Sequence, residues 1–378
     1  MVPNPIFPES MVDEVIDLEA LRLSIRDVFR AECSPRAVLH HIEGGGGVHE
    51  TLWKQAGSLG WTSLALPEAF GGLGLGLDAL AVLYEEAGRA VAPIPLLATL
   101  LAADVIARTG SPEQQERWLR SIAGGSTIAA VSSPHPFAAA ELTLAERDGH
   151  IILSGTARGI LDGADAELIL VLAARSDGSV ARVAIEPQTD GVAVRRNSTW
   201  DLTRSLATVE VTDLTLPDNR MLPASTSSED ALAMHAAIGI AADAIGGSEE
   251  ILSITIEYLK SRQQFGRPIG SFQGLKHRVA NHKVALIADA ALVTSAAALE
   301  ASNDRLAGAE VSSAKAQACA DYVNLGRDAI QLHGGIGFTA EHACHLFLKR
   351  ARLNEVLFGS GSWHLQRVLD LVIRSLAA

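Results

Sequence analysis

Residues 356–364 read VLFGSGSWH, a run of small residues that is typical of a tight turn. Backbone amides near Gly359 and Ser360 can approach a bound anion or a cofactor there, because glycine has no side chain to block the approach. Phe358, just before the turn, carries no group that transfers a proton. Three interpretations stay open: a working catalytic turn, a cofactor cradle, or a turn that has lost its chemistry.

Two other stretches combine the residue types that bind an anionic dinucleotide. SRQQFGRPIGSFQGLKHRVAN at 261–281 contains Arg262, and QLHGGIGFTAEH at 331–342 contains Gly334 and Gly335. A pyrophosphate needs amide donors and arginine, and a glycine pair lets backbone approach it closely. Both stretches also have simpler explanations, since Arg262 can be a cation at a helix C-terminus and the glycines can simply end a helix.

The composition indicates a packed and largely helical protein. Of 378 residues, 48% are hydrophobic, 20% are charged and only 4% are aromatic, so Ala, Leu, Ile and Val must form most of the core. The chain has 44 acidic and 31 basic residues, a formal net charge of −13, and no long run of Lys or Arg. This balance argues against nucleic-acid binding.

The cysteines and the apolar runs bear on the compartment. Cys33, Cys319 and Cys344 are widely spaced and form no CxxC pair, which favours buried thiols under reducing conditions. The N-terminal residues lack the basic and apolar regions of a signal peptide. No uninterrupted apolar run reaches the roughly 18 residues that span a bilayer. We therefore predict a cytoplasmic protein without membrane contact.

Hydrophobic periodicity divides the chain into three predicted domains. Residues 1–124 have helical spacing, with Ser111 and Pro112 as an N-cap and a first helical residue. Residues 125–226 are β-branched runs broken by turn signals, which predicts a small β-barrel or sandwich. Residues 227–378 return to long Ala-rich helical patterns, typical of a four-helix-type bundle. The predicted fold class is α+β, in the order helical domain, β domain, helical bundle.

The C-terminal segment contains five helical patterns. The stretch TSSED at 226–230 offers two overlapping capping boxes for the first of them, Thr226 with Glu229 and Ser227 with Asp230. The five patterns cover 227–262, 272–303, 308–333, 340–354 and 362–376.

Four stretches, in this order and spacing, resemble the acyl-CoA dehydrogenase family. They are LGWTSLALPEAFGGLGLG at 59–76, WDLTRSLATVEV at 200–211, and the two dinucleotide-type stretches. The strings R-x-x-F-G-x-P-I-x-x-F-Q and Q-x-x-G-G-x-G-F are specific in combination, and the resemblance covers essentially the whole chain. It implies the family fold and an FAD-dependent α,β-dehydrogenation of an acyl-CoA thioester, with electron-transfer flavoprotein as the acceptor where the chain is active.

The resemblance also implies how FAD is held between subunits. Residues 262–264 and 272–273 lie along one FAD, whereas residues 331–335 reach the FAD of a neighbouring subunit. No metal site is implied. The implied cofactor-binding residues are Ser132, Arg262, Gln263, Gln264, Phe272, Gln273, Gln331, Leu332, Gly334, Gly335 and Ser360.

The catalytic base is the main departure from the family pattern. Family members remove the substrate's α-proton with a Glu that stands in a Glu-Gly-Thr turn or early on the first long C-terminal helix. Matching LFGS to that turn places Phe358 at the Glu position, and the helix position falls near Ala236 and Ala237. Asp243 and His235 are weaker candidates, because Asp243 is better explained by an ion pair with a neighbouring helix and His235 by a satisfied hydrogen bond at a domain junction.

The β domain departs from the pattern as well. VSSPHPFAAAEL keeps Ser132 and Pro134, where the family has Thr and Pro, but it lacks the Gly-Ser-Asp that follows. GTARGILDGADAEL places Gly159 and Leu161 where a Trp-Ile-Thr segment flanks the flavin. Loss of the aromatic wall removes a large contact area, so we expect FAD to bind weakly, partially or only in the company of another chain.

Three functions remain open from the sequence. The chain is an active dehydrogenase whose base is unusual or comes from a partner, a non-catalytic subunit, or a CoA-ester binding protein without flavin. Some bacterial proteins of steroid and side-chain degradation are similar at the C-terminal turn and pair a base-bearing with a base-lacking chain in α2β2 assemblies. We predict an oligomer, either a homodimer or homotetramer or such a heteromer, that acts on fatty or steroid side-chain CoA esters. The isolated chain is expected to show little or no activity.

Overall fold

The computed structural model describes residues 17–133, 140–301, 304 and 306–377, so Pro134 lies outside the described residues. The helices are α1 (Leu18–Glu32), α2 (Pro35–Glu43), α3 (Glu50–Ser58), α4 (Leu77–Arg89), α5 (Leu96–Thr109), α6 (Pro112–Ala123), α7 (Thr226–Ser261), α8 (Gln273–Ala301), α9 (Ala307–His333), α10 (Cys344–Val356) and α11 (Gly361–Ala377). The strands are β1 (Ala129–Val131), β2 (Leu142–Arg147), β3 (His150–Leu161), β4 (Leu168–Ala174), β5 (Val180–Ile185), β6 (Val192–Asn197), β7 (Leu206–Pro217), β8 (Met221–Pro223), β9 (Gln263–Gln264) and β10 (Arg267–Pro268).

Helices α1 to α6 form the N-terminal helical domain. Ser111 caps α6 by accepting a hydrogen bond from the backbone of Gln114, whose side chain bonds back to the backbone of Ser111, and Pro112 is the first helical residue. This confirms the predicted helix start and adds a capping box. Helix α5 is apolar almost all round because it is buried between the other helices, the sheet and α7.

The central domain is one eight-stranded sheet in the order β6-β7-β3-β2-β4-β5-β8, with β1 paired in parallel to β4. The two longest strands, β3 and β7, run antiparallel through most of their length. Strand β4 is buried at nearly every position, which explains why its sequence is continuously apolar rather than alternating.

The C-terminal domain is a bundle around α7, a helix of 36 residues. All five predicted helices form, with ends shifted by up to about four residues. The predicted capping boxes are wrong: Ser225 is the N-cap and forms the box with Ser228. Glu229 does not form the predicted capping box, because it makes a buried, bidentate ion pair with Arg182 of β5, at 2.8 and 2.7 Å.

Helices α4 and α7 approach each other backbone to backbone. A Cβ atom on Gly88 would lie 2.1 Å from the carbonyl oxygen of Asp243, and one on Gly246 would lie 1.7 Å from that of Glu85. Only glycine fits at these two contacts. The close approach fixes the middle of α7, and with it Asp243, against the N-terminal domain.

Helices α7 and α8 are both long and apolar enough to cross a membrane by length and composition. Within the apolar window of α7, 89% of the residues are buried inside the protein, so α7 is a core helix. Only 28% of the window of α8 is buried, and Val284 and Ile287 are exposed. Helix α8 therefore has an apolar face that the described part of the chain leaves uncovered.

Where α8 packs on α9, two carboxyl groups meet. Burial and the neighbouring Asp321 raise the pKa of Asp289 to about 7. The unfolded chain ionises Asp289 near pH 4, so the native state binds the extra proton between about pH 4 and 7 and loses stability as the pH rises through that range.

We therefore predict that Asp289→Asn stabilises the protein at pH 8 by about 2 kcal/mol more than at pH 5. The amide stays neutral at both pH values and can still donate to Asp321. Denaturant titrations at the two pH values measure the difference. Asp190→Asn, at an exposed position before β6, is the matched control and should change stability equally at both. An equal effect of Asp289→Asn at both pH values contradicts the raised pKa.

Candidate active site and cofactor surface

The turn between α10 and α11 carries Phe358, whose side chain is only 5% exposed. Its φ of 52° is unusual for a residue other than glycine. Its carbonyl oxygen accepts a hydrogen bond from His364 Nε2 at 2.9 Å, whereas its N–H donates to no residue that the structure describes. Ser360 caps α11 by accepting from the Trp363 N–H at 3.3 Å. The turn is thus a fixed loop with one free amide and no proton acceptor at Phe358.

A buried lysine that the sequence analysis did not single out holds this turn in place. Lys315 of α9 is fully buried, and its Nζ donates to the carbonyl oxygens of Glu355, at 3.0 Å, and of Gly359. Burial lowers the pKa of Lys315. Its position inside an Ala-rich helical pattern gives no signal of this role.

The alternative base position, Ala236 of α7, is fully buried beside His235. His235 Nε2 lies 2.8 Å from Tyr84 Oη, and its Nδ1 lies 3.3 Å from Asp104 Oδ2. Burial raises the pKa of Asp104, but the hydrogen bond and charge of His235, with Arg108, outweigh burial and leave that pKa lowered. Both nitrogens of His235 are therefore engaged at the junction of α4, α5 and α7.

Asp243 is the centre of a buried ion network. Its carboxylate accepts from Arg204 Nη2 at 2.8 Å, from Arg350 Nη2 at 3.1 Å and from Asn354 Nδ2 at 2.6 Å. Burial raises the pKa of Asp243, but the charges of Arg204 and Arg350 dominate and hold it below its usual value. This is the ion-pair alternative of the sequence analysis, with partners on α10 and in the loop before β7. A carboxylate with these partners is a poor proton acceptor.

The same network connects all three domains. Arg350 Nη1 donates to Thr203 Oγ1 at 2.8 Å, and its Nη2 lies 3.5 Å from the carbonyl oxygen of Ala92. Arg204 and Thr203 come from the β domain, Ala92 follows α4, and Asp243 and Arg350 belong to the bundle. The WDLTRS motif thus contributes a structural connection rather than a proton-transfer group.

The residues predicted to lie along one FAD follow the end of α7. Gln263 and Gln264 form a small hairpin with Arg267 and Pro268, and Phe265 at its tip is 89% exposed. The guanidinium of Arg267 stacks on Phe272, with its Cζ atom 4.1 Å from the ring centroid. Gln273 begins α8. The exposed hairpin presents polar and aromatic groups at one end of the bundle.

The second predicted segment, 331–335, lies at that same end. Tyr258, one turn before Arg262, donates its hydroxyl to the carbonyl oxygen of His333 at 3.1 Å and stacks on its ring. Gly334 has a φ of 63°, and a Cβ atom on Gly334 or on Gly335 would meet nothing within 4 Å. Leu332 is buried, while Phe338 beyond it is exposed.

The donor set at this end fits a dinucleotide. One guanidinium and four carboxamides are exposed and hydrogen-bond no residue that the structure describes, namely those of Arg262, Gln263, Gln264, Gln273 and Gln331. Arginine and amide donors next to an open glycine pair are what a pyrophosphate requires. The two predicted segments are therefore brought together, and we name this end of the bundle the glutamine surface.

Ser132, which is predicted to contact FAD, forms hydrogen bonds inside the β domain. Its hydroxyl accepts the backbone N–H of Leu172 at 2.9 Å, and Arg182 Nη1 donates to its carbonyl oxygen at 3.2 Å. Gly159 has a φ of 67° in β3, and Leu161 is buried. Neither Gly159 nor Leu161 provides an aromatic wall for a flavin ring.

The order of helical domain, central sheet and bundle is the acyl-CoA dehydrogenase fold, as two solved structures show. The Tcur3481-Tcur3483 steroid ACAD is 29% identical, with a TM-score of 0.86 over 96% of this chain and 99% of that chain. The ChsE4-ChsE5 complex from Mycobacterium tuberculosis is 26% identical, with a TM-score of 0.88 over 97% of this chain and 99% of that chain.

The sequence comparisons agree with the fold. The family profile "Acyl-CoA dehydrogenase, N-terminal domain" matches residues 17–126, and "Acyl-CoA dehydrogenase, C-terminal domain" matches residues 229–372. Acyl-CoA dehydrogenase IpdE2 from Mycobacterium tuberculosis is 32% identical over 93% of this chain and 95% of that protein. This chain belongs to the acyl-CoA dehydrogenase family, whose members bind FAD.

Proposed function

We propose that this chain takes part in the FAD-dependent α,β-dehydrogenation of an acyl-CoA thioester, as one subunit of an assembly in which a second, homologous chain supplies the base. The observation that carries the proposal is the turn at Phe358. A buried phenylalanine occupies the position where the resemblance places the Glu, in a loop held by Lys315 and His364. Asp243 and His235, the other candidates, have their lone pairs engaged.

The glutamine surface is the proposed FAD site. Arg262 and the glutamines beside it bind the pyrophosphate of one FAD, and residues 331–335 contact the FAD of a neighbouring subunit. When bound here, FAD would supply the acceptor for the hydride of the substrate's β-carbon. Because the isoalloxazine-side contacts are replaced at Gly159 and Leu161, the FAD in this chain's own site is held mainly by its dinucleotide end.

The Phe358 turn retains one catalytic feature. The free N–H of Phe358 is available to the thioester oxygen, where negative charge develops as the α-proton leaves. The loop thus keeps a hydrogen-bond donor for a CoA thioester and lacks the acceptor for its α-proton.

Exposed apolar groups support an assembly of chains. The uncovered face of α8, with Val284 and Ile287, lies in the same domain as an apolar stripe on α11 formed by Leu365, Leu369 and Ile373. Two of the similar solved structures carry the names of two chains, Tcur3481-Tcur3483 and ChsE4-ChsE5. We propose that these faces contact other subunits, with electron-transfer flavoprotein as the electron acceptor and the cytoplasm as the location.

The proposed substrate is a bulky acyl-CoA, such as a steroid-derived thioester, because one similar structure is named a steroid ACAD. The test is the anaerobic reduction of flavin, followed by absorbance, with a panel of acyl-CoA esters from short-chain to steroid side-chain. The chain alone should bind flavin and not reduce it, and co-expression with a base-bearing homologue should give reduction. Rapid reduction by the chain alone contradicts the two-chain proposal, and a colourless protein with excess FAD contradicts the flavin site.

We predict that Arg262→Met weakens FAD binding about tenfold to a hundredfold, since a charge-assisted hydrogen bond contributes about 1.5–3 kcal/mol. Lys260→Met is the matched control, because Lys260 is an exposed cation two residues earlier that pairs with Glu257 at 2.7 Å. Flavin fluorescence titration measures both affinities. Equal affinities in the two variants exclude the glutamine surface as the pyrophosphate site.

A further inference from the structure

We propose that His333, His342 and Cys344 form a binding site for Zn²⁺ or a cation of similar ligand preference. His333 ends α9, His342 lies in the loop that follows, and Cys344 begins α10. One ligand atom from each residue lies within 4.8 Å of the others. Two imidazoles and a thiol are a donor set that prefers Zn²⁺ over Mg²⁺ or Ca²⁺.

The main evidence is an orphaned nitrogen. His333 is only 2% exposed, and its Nδ1 is 2.7 Å from the carbonyl oxygen of Ala329 in the preceding turn. That contact places the proton on Nδ1 and leaves a lone pair on Nε2, which is buried without a partner among the described residues. A histidine that donates one N–H to a backbone carbonyl and keeps a lone pair on its other nitrogen has the arrangement of a metal ligand.

The other two ligands surround this imidazole. The ring of His342 lies 4.4 Å from that of His333, between centroids, at an interplanar angle of 53°. Cys344 is fully buried, and its Sγ lies 3.4 Å from His333 Nδ1. Among the described residues, His342 Nδ1 hydrogen-bonds only the Cys344 backbone N–H, at 3.3 Å. A cation can replace this long contact. Because His333 Nδ1 already donates to Ala329, the Cys344 thiol must turn from Nδ1 toward Nε2 for the three donors to share one centre.

One of the three proposed ligands, His342, borders a cleft open to solvent. His342 lines a cleft of about 860 Å³ together with His40, Glu43 and Glu341. The two carboxylates on this cleft attract a cation toward His342. A solvent-connected opening is one of the properties that a functional metal site needs.

Binding is balanced by the release of one proton. The Cys344 thiol loses its proton to solvent as the metal–sulfur bond forms. Water completes the coordination. The cation would join the end of α9 to the start of α10 and so fix the intervening loop, which contains Gly334, Gly335 and Phe338 of the glutamine surface. This inference does not depend on the proposed function.

The test uses the full-length protein as purified, stripped of metal by a chelator and dialysed. Titration with Zn²⁺ against a chromophoric competitor should give one ion per chain, and Co²⁺ should give a thiolate charge-transfer band in the difference spectrum. In Cys344→Ser the band should disappear and the Zn²⁺ affinity fall at least about tenfold. His342→Asn, at a half-buried and more tolerant position, should weaken Zn²⁺ by a similar factor.

Cys33→Ser is the matched control, since Cys33 is also a buried free thiol but lies in the N-terminal domain. It should keep the stoichiometry, the affinity and the band. Uptake of less than one ion per chain, or equal affinity in the wild type and His342→Asn, overturns the proposal. If Cys344→Ser does not fold, the Zn²⁺ affinities of the wild type and His342→Asn still test the proposed site.

Discussion

In the Phe358→Glu variant, an acyl-CoA should reduce the bound flavin at a rate about a hundredfold or more above that of the wild-type chain. A positioned general base contributes factors of this size. The backbone that would carry the Glu is already in place. Lys315 and His364 hold the carbonyl oxygens of the turn, and the φ of residue 358 is 52°. The site is buried, so the introduced carboxyl should have a raised pKa, which suits a base near neutral pH. Stopped-flow absorbance under anaerobic conditions measures the rate.

The control for this variant is Val356→Glu. Val356 ends α10 two residues earlier and is 60% exposed, so a carboxylate there is solvated and should leave the rate unchanged. Thermal unfolding and flavin content show whether Phe358→Glu still folds and binds its cofactor. A folded, flavin-loaded variant that reduces flavin no faster than the wild type shows that more than the base is missing from this chain's own site.

The sequence predicts the helices well because their signals are local. Ser111 and Pro112 mark the start of α6 by their own chemistry, and the Ala-rich patterns of the bundle have a period that only a helix explains. These features depend on residues within a few positions of each other.

The features that the sequence does not reveal depend on distant partners. Glu229 looks like a capping residue, yet it pairs with Arg182, which is 47 residues earlier in the chain. Lys315 looks like one cation on a helix, yet it holds the Phe358 turn 44 residues later. In both cases the tertiary contact outweighs the local preference, since a buried charge must find a partner wherever the fold provides one.

The candidate site also has features with local sequence signals and features that depend on distant partners. The family strings locate the glutamine surface, because its donors come from two compact motifs. The sequence also allows an ion pair for Asp243, but its partners Arg204 and Arg350 lie 39 and 107 residues away. The packing of α10 on α7 brings Arg350 to Asp243, and the loop before β7 brings Arg204.

Arg350→Met should lower the free energy of unfolding by about 3–5 kcal/mol, because removal of one partner leaves buried charges uncompensated. Arg350 is buried, and its guanidinium bonds Asp243, Thr203 and the carbonyl oxygen of Ala92. Asp243 would keep Arg204 as its single cationic partner, while the contact to the N-terminal domain is lost. Denaturant unfolding at fixed chain concentration, with flavin saturating, measures the change.

The pH dependence of the destabilisation by Arg350→Met is an independent check on the Asp243 ion pairs. Because the pKa of Asp243 is lowered in the folded state, its ion pairs contribute stability above its ordinary pKa near 4 and lose it as the pH falls through the lower folded value. The destabilisation by Arg350→Met should thus be full at pH 7 and shrink in acid. Arg352→Met is the control, since Arg352 is an exposed residue of the same helix paired with Glu355 at 2.6 Å, and its loss should change stability by less than about 1 kcal/mol. If both variants lose the same stability, the domains are held together by apolar packing, and the Asp243 network only satisfies its own buried charges.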